Sequence, residues 1–206
     1  MAITYPLALP THTGIAAVRL RAQDIVTMNM SPFSGVQQVY KYTGQYWEAD
    51  ITLPPMKRED AEYWMTFFMK LGGQYGTFLM GDPAGATARG VATGSPVVNG
   101  ASQTGYELIT DGWTPDTTGI LKAGDYFQLG TAENSRLYKV LDDVNSDGSG
   151  NATFDIWPNL RSSPADNDSI IVSSPKTVFR LTTPAAEINV DQASIYGMTF
   201  GAVEAL

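Results

Sequence analysis

Cysteine is absent from the 206-residue chain. Disulfide staples, thiolate metal sites and cysteine nucleophiles are thereby excluded. Basic residues are scarce: 13 Lys and Arg stand against 21 Asp and Glu, for a formal net charge of −8. They form no clusters, whereas a nucleic-acid-binding surface needs grouped Lys and Arg to displace counterions from phosphates. An acidic surface repels DNA. That suits a passage which DNA crosses without being held, and it is also common in ordinary soluble proteins. Histidine occurs once, as His12 in the Pro/Thr/Gly-rich stretch LPTHTG. A nucleophilic triad needs a base held by a partner, so His12 reads as a surface residue. No Gly-x-Ser-x-Gly elbow and no Gly-x-x-x-x-Gly-Lys-Ser/Thr phosphate loop is present. No apolar run approaches the roughly 18 residues of a membrane helix, and no membrane partner is expected. The opening MAITYPLALPTHTG has no basic region ahead of its short apolar run and makes a poor signal peptide. Folding in a cytoplasm is therefore expected, and the Asn-x-Ser/Thr triplets at Asn29, Asn151 and Asn167 read as chance matches.

Apolar residues make up 43% of the chain, enough for a core. The 20 glycines and 12 prolines punctuate short β-branched or aromatic runs, which is the texture of strands and turns. Val18, Leu20 and Ala22 alternate with Arg19 and Arg21. Trp47, Ala49, Ile51 and Leu53 alternate with Glu48, Asp50 and Thr52. This period of two predicts strands with one buried face. GVQQVYKYTG (35 to 44) is a further strand candidate between turn glycines.

One segment breaks the pattern. KREDAEYWMTFFMKLGG (57 to 73) follows Pro54-Pro55, has Glu59 and Asp60 in its first turn and Lys70 in its last, and ends in Gly72-Gly73. These are helix start and stop signals that complement the macrodipole. Ala61, Trp64, Met65, Phe68 and Leu71 form a stripe, which Tyr63, Phe67 and Met69 widen almost to the full circumference. A helix that is apolar on nearly every side needs cover on more than one side. One sheet supplies one side. The rest reads either as core packing or as contact with a neighbouring subunit, with Trp64, Phe67, Phe68, Met69 and Leu71 as the interface candidates.

After GTFLMGDP (76 to 83) the chain turns rich in Gly, Ala, Ser and Thr. Short strand candidates then follow closely: YELIT, DYFQLG, RLYKVL, ATFDIW and SIIVS. From Lys176 the strands lengthen again, through TVFRLTT, EINV and SIYGMTFGAV. Residues 84–175 thus read as an inserted small β-barrel or sandwich module, and 1–83 plus 176–206 as the parent β-domain, closed by the last strand.

DVNSDGSGN (143 to 151) has the look of a calcium loop, with Asp143, Asn145 and Asp147 alternating before Gly148. Position twelve of such a loop calls for a bidentate Glu and holds Phe154, and both flanks read as strands. A polar hairpin turn is the reading, since Asn, Asp, Ser and Gly are what turns select. No metal and no cofactor is expected. Carboxylates at Asp125, Asp142, Asp143, Asp155, Asp166 and Asp168 lie in or beside turns, so no glycosidase pair is read from them and no enzyme is expected. Tyr40, Tyr42, Tyr46, Trp113 and Trp157 read as sheet core or interface anchors, or alternatively as a sugar platform. On the second reading the chain is a carbohydrate-binding adhesion module with Trp113 and Trp157 stacking on sugar.

Three ordered segments carry a family likeness. LPPMKREDAEYWMTFFMKLGGQYGTFLMGDP (53 to 83), the run from TGILKAGDYFQLG to IWPNLRSSPADND (118 to 168) and YGMTFGAVEAL (196 to 206) together resemble distal tail proteins of long-tailed bacteriophages. They span more than half of the chain. The resemblance implies a mainly β fold: a sandwich core related to the tail-tube fold, one flanking helix near 57–71, and a second β module outside the ring. It implies a structural virion protein that forms a homo-oligomeric ring, usually hexameric, at the tail tip or baseplate. The partners it implies are other copies of the chain, a tail-tube protein and a tail-tip hub protein, with DNA passing through the lumen. It offers no catalytic residues.

Overall fold

The computed structural model describes residues 3–184 and 195–206, together with the backbone of 188–190. Glu187 of the expected EINV strand and Ser194 lie outside the described residues. The fold is mainly β, with a β-sandwich-like core and one α-helix.

Its strands are β1 (Leu7–Ala8), β2 (Ala17–Met30), β3 (Gln37–Thr52), β4 (Phe78–Met80), β5 (Gly94–Val98), β6 (Glu107–Trp113), β7 (Tyr126–Leu129), β8 (Arg136–Val140), β9 (Ala152–Trp157), β10 (Ile170–Ile171), β11 (Thr177–Leu181), β12 (Ile188–Val190) and β13 (Tyr196–Glu204). The helix α1 spans Arg58–Leu71. The first sheet runs β1-β4-β11-β13-β3-β2, with β12 paired on β13. All its strands come from residues before 81 or after 176. The second runs β10-β7-β8-β9-β6-β5 and is drawn wholly from 94–171. Its two end strands also meet: Val97 bridges to Ser169, and the Val98 and Asn167 N–H groups donate to the carbonyls of Asp168 and Val98. The sheet therefore curls back on itself around its own apolar cluster, which includes Phe127, Tyr138, Phe154 and Leu108.

In β3 the alternation read from sequence sets the layers. Trp47, Ala49 and Ile51 point inward, while Tyr46, Glu48 and Asp50 lie on the other face. Helix α1 lies on the inner face. Its C-terminus closes on Gly72 in the left-handed region (φ 60°), whose N–H reaches the carbonyls of Phe68 and Met69. Ala61, Trp64, Phe67, Phe68 and Leu71 are buried against Phe78, Phe179 and Phe200 of the sheet. Each such large side chain taken out of water contributes about 1.5–3 kcal/mol.

Of the two readings of the helix, core packing or contact with a neighbouring subunit, the buried side chains fit the first. Residues 3–15 lie along a second side of the helix. Thr13 accepts a hydrogen bond from the Trp64 indole N–H at 2.7 Å, Tyr5 donates to the Lys70 carbonyl, and His12 stacks flat on Tyr63 at 3.5 Å between ring centres. Trp64, Phe67, Phe68 and Leu71 are therefore core residues of a single chain. Of the five interface candidates on the helix, Met69 alone is open to solvent, at 72% exposure. The apolar girth of the helix needs no second copy to conceal it.

The two sheets are joined at a polar junction. Glu204, fully buried at the end of β13, accepts from the Trp47 N–H, the Thr177 hydroxyl and the Arg161 guanidinium at 2.8 Å. The Trp47 indole N–H donates to the Leu137 carbonyl, and the Asn159 N–H donates to Gln45.

Candidate self-association surface

Sequence alternation predicts strands at 18–22 and 35–44, with Gly44 as a turn. The structure instead runs β2 and β3 on as one ribbon well past the core. The strands pair from Ala17↔Thr52 to Met30↔Gln37, with a register shift between Asp24 and Val26. Gly44 lies inside β3 opposite that irregularity. A Cβ there would sit 2.5 Å from the Ile25 side chain, so Gly44 makes room for a neighbour rather than a turn.

The core ends at Gln45, which is buried and bonded to Asp24 at 2.6 Å. Beyond it the ribbon meets the second module where the Lys41 ammonium lies 5.5 Å from the centre of the Tyr106 ring. On the outer face of the sheet, at the base of the ribbon, Arg21 pairs with Glu48 (2.9 Å) and Asp50 (2.7 Å). The Gln23 amide and the Arg21 guanidinium hold the Glu48 carboxyl below its ordinary value. Charge thus marks the rooted part of the ribbon.

The distal part is apolar. Ile25, Val26, Met28, Met30, Phe33, Val36, Val39, Tyr40 and Tyr42 are all exposed. Directly paired residues share a face. Val26, Met28, Met30 and Val39 therefore form one continuous apolar stripe, joined by Lys41 and Gln37. The opposite face carries Thr27, Asn29, Tyr40 and Gln38. At the tip, the Ser31 N–H donates to the Val36 carbonyl and the Gly35 N–H to the Ser31 carbonyl, with Gly35 left-handed (φ 69°). Phe33 stands on this turn at 99% exposure.

A lone two-stranded ribbon is marginal in water, and monomers rarely expose apolar patches beyond a few hundred Å². Aromatic side chains bury about 150–250 Å² each, and aliphatic ones less. Counted over both faces and the tip, the nine side chains together offer on the order of 800 Å² at about half exposure, about what one partner brings to a standard interface. None of Ile25, Val26, Met28, Met30 or Phe33 was read as a contact residue from sequence. The signal was present in DIVTMNM and VQQVYKY flanking SPFSG, a hairpin pattern with apolar residues that lead to no core.

Of the sugar-platform candidates, Trp113 and Trp157 belong to different clusters. Trp113 is 3% exposed, packs on Phe154 and donates its indole N–H to Thr110. Trp157 is half-buried and meets Trp47 edge-on at 4.5 Å. Trp113 supports the second module's core and offers no ring face for stacking, while Trp157 packs at the junction between the sheets. In the 143–151 loop, the oxygens are turned onto the chain itself. Asp143 accepts from the Ala123 N–H, Asn145 from the Gly119 N–H, and Asp147 from the N–H groups of Ser149 and Asn151. The side-chain and backbone N–H donors of Asn151 hold the Asp147 carboxyl below its ordinary value. Among the described residues no three His, Asp or Glu side chains gather as a metal site.

Neither a protein-family model nor a curated protein matches the chain.

Proposed function

We propose that this chain is a structural virion protein that assembles into a homo-oligomeric, hexameric ring at the distal end of a phage tail. One face of the ring docks the tail tube and the other the tip hub. The observation that carries this reading is the β2–β3 ribbon, which runs past the core with its apolar side chains exposed among the described residues. Two further features support it. The first sheet has free edges at both ends, β2 and β1, which suit repeated sideways association. The three segments at 53–83, 118–168 and 196–206 resemble distal tail proteins. The formal charge of −8 suits a lumen that lets DNA slide through without being held. Assembly takes place in the host cytoplasm and the ring resides at the tail tip.

The test is light scattering on the purified protein joined to negative-stain imaging. Annular particles several times the 22.2 kDa chain mass are expected. Met28→Ser/Val39→Ser is expected to shift the population to folded monomer with an unchanged circular dichroism spectrum. A wild-type protein that stays monomeric at high concentration, together with virions lacking the chain at their tips, would sink the reading.

A further inference from the structure

We infer that Phe33 at the ribbon tip of one copy seats in an apolar cleft of the next copy, between the 8–15 segment and β4. This deepens the ring reading and rests on it. The cleft has a volume of about 350 Å³ and is lined mainly by Ala8, Leu9, Ile15, Met80, Pro83 and Pro175. Sites of about 300–1,000 Å³ with apolar walls hold groups of the size of an aromatic ring and its neighbours.

Three observations select a second copy as the occupant. The tip is pre-shaped: Pro32 restricts φ, Gly35 takes the left-handed turn, and two backbone hydrogen bonds close the loop, so little ordering entropy is lost on docking. The exposed ribbon brings the area of a standard interface, so the tip is the end of a contact surface large enough for stable association. The ribbon and the cleft also belong to opposite ends of one sheet. β2 is the last strand and β4 lies four strands away, about 19 Å at 4.8 Å per strand. The ribbon continues along its own strand direction for about 20 Å past the core, so its tip stands well beyond the level of the cleft, whose Met80 lies near the level of the ribbon's root. Knob and hole are thus different patches of the same molecule. Such a contact is heterologous, and its repetition closes into a ring or runs on as a filament.

The absence of native cysteine gives a clean test. Ser34→Cys at the tip and Thr11→Cys at the cleft rim leave Phe33 in place, and both positions are exposed. Under mild oxidation the double variant is expected to give a ladder of disulfide-linked multimers on a non-reducing gel. Each single variant gives none. Adding Phe33→Ala to the pair should weaken the ladder at least tenfold without lowering the melting temperature, because Phe33 touches no core residue. Rings in negative stain without a ladder would overturn the docking and leave the ring reading standing. A disulfide dimer from Ser34→Cys alone would also overturn it, since tips would then meet tips. Neither rings nor ladder would remove both.

Discussion

Asp125 shows how a carboxylate in a turn serves the fold. Its side chain is 3% exposed and accepts from the backbone N–H groups of Arg89 (2.9 Å), Lys122 (2.9 Å) and Gly90 (3.0 Å). Burial pushes its carboxyl up, and those three donors with the Arg89 guanidinium outweigh that effect, so it titrates below its ordinary value. A group whose pKa falls on folding contributes stability above its unfolded value, which is lost as pH drops through the folded one. The wild-type urea midpoint should therefore fall as pH drops below about 4. Asp125→Asn should cost about 2 kcal/mol at pH 7, because one carboxylate that satisfies three donors becomes an amide with one acceptor oxygen. The gap between the two proteins should narrow toward pH 2. A gap that stays constant across this range would refute the carboxylate's role. Trp113 makes the same point about context: an indole in a β-rich sequence suggests a sugar platform, and here it is buried against Phe154.

Helix α1 is capped at one end only. Gly72 takes the left-handed position at its C-terminus, while Lys57 at the N-cap makes no side-chain hydrogen bond. The Lys57 backbone already has the extended geometry of a capping residue, at φ −75° and ψ 163°. Lys57→Asp should therefore stabilise the protein by about 1 kcal/mol, through a side-chain acceptor for the first-turn N–H groups and a favourable charge at the dipole's positive end. Chemical denaturation reads this as a raised midpoint with an unchanged slope. The ribbon is the opposite kind of element. Its rooted half is held by the core and by the Arg21, Glu48 and Asp50 cluster, and its distal half keeps its apolar side chains exposed.

In the assembled molecule the two sheets meet over Glu204 and Arg161. The Glu204 side chain has no exposure and that of Arg161 has 11%. Removing one member of a buried pair strands the other, at a cost of about 3–5 kcal/mol. Arg161→Met should destabilise by that amount. The double variant Arg161→Met/Glu204→Gln should recover part of it, because the uncompensated charge is gone. Equal losses in the two variants would show that the ion pair does not tie the sheets together. The inner face of the helix, by contrast, is buried within one chain, while Tyr63 and Met69 stay exposed.

The sequence by itself determined what depends on near neighbours along the chain. The period of two in 47–53 placed the inner face of β3, and the acidic start, basic last turn and Gly72 placed α1. The turn chemistry of 143–151 marked it as a loop whose oxygens bond its own surroundings. Tertiary structure alone decided which apolar surface stays open. Trp64 is covered by residues fifty or more positions earlier and over a hundred later in the chain, Thr13 and Phe200. Met28 and Val39, with ordinary strand alternation, pair with each other and stay exposed because the ribbon outruns the core. Alternation tells which side of a strand is apolar. Whether anything lies against that side depends on contacts between distant segments, which local periodicity does not encode.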